Sequence, residues 1–171
     1  KILGLTLGES KASVLKKYSS KKIKKGATQG ALTLFYKALT TNDCNFSGVS
    51  FYKDKLAQIV CFLPPSSFKN IELFHKYQQI LQRRYGEFED YSEIPDFLYT
   101  DGKIDNLTIA GQILIGNARL SNAWYLDGVT INLDLAGTTD TDLGSVLIVY
   151  SDNYLSDLLS AADEAKNTEG F

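Results

Sequence analysis

The sequence has few of the residues from which catalytic sites are commonly built. Its 171 residues include one histidine, two cysteines and no methionine. A Ser-His-Asp triad would need His75 as its base, and no G-x-S-x-G motif is present to hold a nucleophile. Four soft zinc ligands cannot come from these residues alone. We therefore expect a protein that is not an enzyme, with no metal and no cofactor, and a structural role for His75.

Long apolar runs and nucleotide-binding motifs are also lacking. No apolar run approaches the ~20 residues of a membrane span, so we expect no transmembrane segment. Neither G-x-x-x-x-G-K-[ST] nor a G-x-G-x-x-G after a strand occurs. With 44% hydrophobic residues and 3 prolines, the composition excludes a disordered or collagen-like chain. The 20 acidic residues leave a hydrolase with paired carboxylates open as a lesser alternative.

Charge is unevenly distributed along a chain whose net charge is −2. Residues 1–25 hold eight lysines and one glutamate, whereas residues 127–171 hold nine acidic residues and one lysine. A solvated face and a contact surface for an acidic partner both fit the basic segment. Arginine, which reads bases and phosphates by its planar fork, occurs three times, so we expect no nucleic-acid partner. The candidate contact lysines are Lys16, Lys17, Lys21, Lys22, Lys24 and Lys25.

The hydrophobic spacing predicts an α+β fold, in which helices pack on one face of an antiparallel β-sheet. Helices are predicted over 9–18, 67–85 and 153–166. Strands are predicted over 31–38, 46–52, 55–63, 97–100, 104–109, 112–116, 119–126, 129–135 and 145–150, with a polar loop at 136–144. Tight turns are predicted at Lys53-Asp54, Asp101-Gly102 and Asp127-Gly128. We expect a single domain over 1–171, or two packed halves, 1–86 and 97–171, joined by the acidic connection 87–96.

The two cysteines fall on one predicted hairpin. A turn at Lys53-Asp54 places Cys44 opposite Leu63 and makes Cys61 a diagonal neighbour of Cys44. Diagonal pairs lie ~7–8 Å apart, beyond the ~4.4–6.8 Å that a disulfide spans between Cα atoms. A disulfide therefore requires strong twist or a bulge, and buried free thiols are the alternative. A disulfide would indicate an oxidising compartment.

Aromatic side chains stand in adjacent pairs on several predicted strands. Because strand neighbours point to opposite faces, one of each pair should lie away from the face that the helices cover. An open aromatic row would bind a protein or stack on a ligand, whereas a row under a loop would be core. The candidate binding residues are Tyr36, Tyr52 and Trp124.

Several short motifs lie between residues 3 and 86: Gly4-Leu5-Thr6-Leu7-Gly8-Glu9-Ser10-Lys11-Ala12-Ser13-Val14, Asn45-Phe46-Ser47-Gly48-Val49-Ser50-Phe51, Lys53-Asp54-Lys55-Leu56, Ile59 and Arg84-Tyr85-Gly86. Together they resemble a group of uncharacterised exported proteins and lipoproteins of Bacteroidetes, which look distantly like the β-lactamase inhibitory protein. The resemblance implies export, a helix-on-antiparallel-sheet fold and binding rather than catalysis, and it implies no catalytic residue. No lipobox cysteine is visible, and the acidic second half matches no motif of the group.

These observations together predict an exported, non-enzymatic interaction module in the periplasm or at the cell surface, with its signal peptide removed. Its partner would be an unknown protein or envelope component, bound by an exposed sheet face and steered by the basic N-terminal segment. The alternative is a small-molecule or glycan-binding protein of the cell envelope that uses Trp124 for stacking. We expect a monomer or a weak dimer.

Overall fold

The structure, a computed structural model, describes residues 4–18, 24–29, 32–36, 46–63, 69–100, 102–138 and 141–168. The helices are α1 (Lys11–Tyr18), α2 (Asn70–Tyr85), α3 (Asn106–Leu114) and α4 (Asn153–Thr168). The strands are β1 (Lys24–Gln29), β2 (Leu32–Tyr36), β3 (Phe46–Tyr52), β4 (Lys55–Phe62), β5 (Glu89–Asp90), β6 (Arg119–Leu126), β7 (Val129–Thr138) and β8 (Thr141–Asp152). The predicted α+β class with antiparallel strands is confirmed.

The chain divides into two compact units. The first comprises Lys1–Phe62, Asp127–Thr130 and Val149–Phe171, and the second comprises Leu63–Leu126 and Ile131–Ile148. The acidic residues 87–96 lie inside the second unit.

Strands β1 to β4 of the first unit form an antiparallel meander. The turn predicted at Lys53-Asp54 is confirmed, because Tyr52 pairs with Lys55 and Lys53 adopts a φ of 53°. The register then shifts by one residue between Ser50 and Phe51 on β3. Beyond this bulge Ser47 pairs with Cys61, so the register predicted without a bulge is wrong for the far end of the hairpin. Cys44 lies outside the described residues.

The core of the first unit forms where α1 meets the β3–β4 hairpin. Its buried cluster contains Leu5, Val14, Val49, Phe51, Leu56 and Ile59. Helix α4 also lies against β3 and β4. Val49, Ser50 and Phe51 are consecutive and all buried, so both faces of β3 are covered here. The expected exposed sheet face is therefore not available on this part of β3.

Helix α2 contributes buried apolar side chains to the second unit. Ile71, Phe74 and Leu81 are buried along one side of the helix. Gly86 ends the helix with a φ of 90°, and its N–H donates to the Gln82 carbonyl at 2.9 Å. Strand β5 pairs with β6 through Glu89 and Asp90. Strand β6 occupies the predicted range 119–126, and Gly128 in the turn after it has a φ of 69°.

The predictions of strands at 97–100, 104–109 and 112–116 are wrong. Asp96–Leu98 forms a single 3-10 turn, and α3 replaces the other two strands. Asp105 caps α3, because its carboxylate accepts a hydrogen bond from the Thr108 N–H at 2.9 Å. Ile109 and Ile113 then bury one side of the helix. The cap and this spacing of four override the strand preference of isoleucine and threonine.

One predicted loop differs in length from the observed one, and one observed strand was not predicted. The polar loop predicted at 136–144 is shorter, because β7 extends to Thr138 and β8 begins at Thr141. Strand β1 was not expected, because its sequence KKGATQ has no apolar alternation.

The same substitution at two glycines should have opposite effects on stability. Gly111 lies within α3, and an added Cβ would meet nothing within 4 Å. Gly111→Ala should therefore raise the free energy of unfolding by about 0.5–1 kcal/mol, because alanine favours the helix. Gly128→Ala should lower it by about 1–2 kcal/mol, because a Cβ disfavours the left-handed region. Urea denaturation measures both, and shifts of the same sign would contradict the assignments.

Candidate interaction surfaces

The segment before α1 is tied to the β3–β4 turn by backbone hydrogen bonds. Gly8 N–H donates to the Leu56 carbonyl at 2.8 Å, and Leu56 N–H donates to the Glu9 carbonyl at 2.9 Å. Lys11 N–H donates to the Asp54 carbonyl at 2.9 Å. The first turn of α1 and the hairpin turn therefore form one continuous surface.

Glu9 and Ser10 fix the start of α1. Ser10 Oγ accepts a hydrogen bond from the Ser13 N–H at 3.3 Å. The Glu9 carboxylate accepts hydrogen bonds from the Thr6 N–H at 3.2 Å and the Ser13 hydroxyl at 2.5 Å. The Lys17 ammonium pairs with the same carboxylate at 2.5 Å. Hydrogen bonding from Lys17, and then from Ser13, lowers the pKa of Glu9 below its ordinary value.

Five exposed lysines surround this junction, and we name them the basic surface. The described residues 4–18 and 46–63, which form this junction, contain two acidic residues, Glu9 and Asp54. Two of its ammonium groups lie over aromatic rings: Lys11 Nζ is 5.6 Å from the Phe51 centroid and Lys53 Nζ is 5.3 Å from the Tyr52 centroid. These cation–π contacts direct the two lysines across the surface. The five members are Lys11, Lys16, Lys17, Lys53 and Lys55.

The lysines predicted from the sequence overlap only in part with the basic surface. Lys16 and Lys17 belong to it, whereas Lys21 and Lys22 lie outside the described residues. Lys17 is paired with Glu9, so it supports the helix start as well as adding charge. The backbones of Lys24 and Lys25 lie on β1 opposite Tyr36 and Phe35, and their side chains lie outside the described part. Lys11, Lys53 and Lys55 were not predicted from the sequence, because only the backbone pairing brings the hairpin turn to α1.

The predicted aromatic residues do not form an open row. Trp124 is buried, its Nε1–H donates to the Gly86 carbonyl at 3.0 Å, and its ring lies 5.3 Å from that of Phe88. The prediction that Trp124 stacks on a ligand is therefore wrong for this structure. Tyr52 is half-buried beneath Lys53. The side chain of Tyr36 lies outside the described residues.

An exposed tyrosine pair lies at the β5 edge of the second unit. The Tyr91 and Tyr125 hydroxyls are 3.1 Å apart, and the Tyr91 hydroxyl donates to the Glu89 carboxylate at 2.5 Å. The Glu89 hydrogen bond, followed by that of Tyr125, raises the pKa of Tyr91 above its ordinary value. Neither Tyr91 nor Tyr125 is among the binding residues predicted from the sequence.

An exposed apolar face on α3 was also missed. Leu107, Leu114 and Ile115 are exposed, while Ile109 and Ile113 of the same segment are buried. The signal was in the sequence, because apolar residues recur at helical spacing on two sides of 106–115. Because two strands were predicted over this range, the exposed apolar side of the helix was not recognised.

The remaining predictions concern His75, metal binding, the two cysteines and a membrane span. His75 is exposed on α2, where its Nδ1 lies 3.2 Å from the Gln78 side-chain oxygen. Within the described ranges, no group of three His, Cys, Asp or Glu side chains is placed to hold a metal ion. Cys61 is disulfide-bonded, and the chain's other cysteine is Cys44. None of the helices described here is long and apolar enough to cross a membrane.

Comparisons of the chain with protein-family models, with curated proteins and with solved structures find no match. The resemblance to exported proteins of Bacteroidetes therefore stays a prediction from short motifs. Function has to be argued from the surfaces themselves.

Removing the Glu9 charge should destabilise the protein at neutral pH but not in acid. Folding lowers the pKa of Glu9 from its ordinary value of 4.5. The stabilisation that the ionised carboxylate provides is therefore present above pH 4.5 and is lost as the pH falls through the pKa of Glu9 in the folded protein. Glu9→Gln should lower the free energy of unfolding by about 0.5–1 kcal/mol at pH 7. The effect is small because solvent screens the ion pair between Lys17 and Glu9.

Urea denaturation of the wild type and Glu9→Gln at several pH values measures this difference. Glu72→Gln, in the first turn of α2, serves as the matched control. A Glu9→Gln effect that persists undiminished at pH 3 would contradict the electrostatic assignment.

Proposed function

We propose that this chain is an exported, non-enzymatic interaction module that binds an acidic protein partner through its basic surface. The observation that carries the proposal is the junction of α1 with the β3–β4 turn, where five lysines accompany two acidic residues. In a chain of net charge −2, this local excess of positive charge would attract acidic partners and repel basic ones.

The backbone of the basic surface is fixed before any partner arrives. Three hydrogen bonds of 2.8–2.9 Å hold α1 to the hairpin, and Leu5 and Val14 are buried beneath. A partner would therefore order lysine side chains but not the backbone, which lowers the entropic cost of binding. This placement modifies the prediction from sequence, which put the contact on an exposed sheet face.

The disulfide bond of Cys61 supports export. Disulfides persist in the periplasm and at cell surfaces and are rare in the reducing cytosol. The glycan-binding alternative loses its principal support, because Trp124 is buried and engaged with Gly86.

Charge reversal should test the basic surface. Lys11, Lys16, Lys53 and Lys55 are replaced by Glu together, while Lys17 is kept because it supports Glu9. We expect capture of the partner from the source organism's envelope extract to be lost. With the purified partner, the association rate at low salt should fall about 10-fold or more, because electrostatic steering accelerates association by 10–10³.

The matched control reverses four exposed charges at the N-cap of α2 and along it: Lys69, Lys76, Arg83 and Arg84. It changes the net charge of the chain equally and should leave the association rate within about 2-fold. Stopped-flow measurements at low and high salt compare the two variants. An equal loss in both would show that net charge, rather than the basic surface, governs binding, and would overturn the proposal.

Thiol counting tests the compartment. Protein isolated from its native host without reductant should contain no reactive thiol, and two thiols should appear after reduction. Alkylation followed by mass measurement gives the count, and cell fractionation gives the location. Two free thiols, or recovery in the cytosolic fraction, would contradict export.

A further inference from the structure

Two exposed tyrosines meet at the β5 edge of the second unit. Glu89 pairs with Ala123 across the β5–β6 ladder, and the N–H of Tyr91 donates to the Ser121 carbonyl at 2.8 Å. Side chains two residues apart on a strand, and those directly opposite across the ladder, share one face. Tyr91, Glu89 and Tyr125 therefore lie on the same face. The two tyrosines are 48% and 56% exposed, and their hydroxyls are 3.1 Å apart, so they meet tip to tip.

Contact between two tyrosine hydroxyls is the geometry from which a dityrosine cross-link forms. In dityrosine a carbon–carbon bond joins the two ring carbons that neighbour the hydroxyls, so the two oxygens lie side by side. The hydroxyl contact of Tyr91 with Tyr125 already brings these ring carbons to one place. Exposed side chains change rotamer within nanoseconds, so small rotations suffice to bring the carbons together.

Glu89 supplies a proton acceptor for the reaction. The Tyr91 hydroxyl donates a hydrogen bond to the Glu89 carboxylate at 2.5 Å. A phenol that loses an electron becomes a strong acid, and a carboxylate already within hydrogen-bond distance takes its proton directly. Tyr91 is therefore the ring of the pair from which an oxidant removes an electron more readily.

Other readily oxidised side chains are scarce in this chain. It contains no methionine, and its one tryptophan, Trp124, is buried. Cys61 is disulfide-bonded, so it has no thiol to oxidise. Thiols and thioethers are the groups that oxidants commonly attack. Oxidation of this chain should therefore fall on its exposed tyrosines.

We infer that Tyr91 and Tyr125 form a modification site, at which the one-electron oxidant that a peroxidase generates from hydrogen peroxide joins the two rings. Each phenol loses one electron and one proton, and the proton of Tyr91 passes to Glu89. The two phenoxyl radicals form one carbon–carbon bond, and the hydrogens displaced from the bonded carbons return to the oxygens. Hydrogen peroxide takes up the two electrons and two protons and becomes two molecules of water.

The cross-link fastens a short strand at the edge of the sheet. Strand β5 has two residues, and backbone hydrogen bonds of 2.8 Å continue its pairing with β6 as far as Glu93 and Arg119. A covalent bond between residues 91 and 125 closes a loop of the chain and restricts the unfolded state, as a disulfide does. The site belongs to the second unit, and this inference does not depend on the proposed function.

Peroxidase treatment of the purified chain at low concentration tests the cross-link. With a haem peroxidase and hydrogen peroxide, dityrosine fluorescence should appear in the electrophoretic band of the 19.0 kDa monomer. Tyr91→Phe and Tyr125→Phe should each lower this fluorescence about 10-fold or more, because two rings held together react far faster than separate ones. Phenylalanine keeps the ring, and circular dichroism checks that both variants fold.

Tyr154→Phe is the matched control, because Tyr154 is 72% exposed on α4, and it should leave the monomer fluorescence unchanged. Mass spectrometry of the digested wild type should find residues 91 and 125 in one cross-linked product that has lost two hydrogens. Undiminished monomer fluorescence in Tyr125→Phe, or fluorescence confined to a dimer band, would overturn the inference.

The rate of cross-linking tests the part of Glu89. Glu89→Gln keeps a hydrogen-bond acceptor but takes no proton, so the fluorescence should appear about 10-fold more slowly or less readily still. Glu72→Gln, at an exposed carboxylate of α2, changes the net charge equally and should react at the rate of the wild type. Equal rates for the two variants would overturn the assignment of Glu89 as the proton acceptor.

Discussion

The backbone bonding between residues 8–11 and the β3–β4 turn is the constraint on which the first unit depends. It fixes the position of α1 so that Leu5 and Val14 reach the side of the hairpin that carries Leu56 and Ile59. Each hydrogen bond contributes about 0.5–1.5 kcal/mol net, whereas burying one such side chain contributes about 1.5–3 kcal/mol. Packing therefore supplies most of the stability, and the hydrogen bonds determine which residues pack.

The same constraint decides what the surface of the first unit presents. With Val14 in the core, Lys16 lies on the opposite side of α1, whereas Lys11 and Lys17, each three residues from Val14, are exposed at its flanks. The backbone bond from Lys11 to Asp54 brings the lysines of the hairpin turn beside them. Lys17 neutralises Glu9 at contact distance, but exposed pairs contribute little energy. The remaining positive charge acts over about one Debye length, which is the range at which steering operates.

The elements predicted correctly are those in which apolar residues recur at a regular spacing and a terminal residue marks the end of the element. Helix α2 shows apolar residues at spacings of three and four and a glycine stop, and both features are local. The bulge between Ser50 and Phe51 has no local signal, yet it shifts every later pair of the hairpin by one residue. Helix α3 was mistaken for strands because isoleucine and threonine favour strands, although Asp105 offered a cap signal. Only Lys16 and Lys17 of the five lysines in the basic surface were predicted, since charge is visible in a sequence whereas the long-range backbone pairing of Lys11 with Asp54 is not.

Aromatic content is a weaker guide to binding than continuity of burial along a strand. Alternation was expected to leave one face of each strand open, but the run from Leu56 to Leu63 contains only one polar residue, Gln58. A near-continuous apolar run is typical of a strand that is covered on both faces, and Ile59, Val60 and Cys61 are all buried. The same holds on β6, where Ala123 and Trp124 are both buried. With both faces of these strands covered, the exposed lysines of α1 and the exposed apolar residues Leu107, Leu114 and Ile115 lie on helices and at their ends.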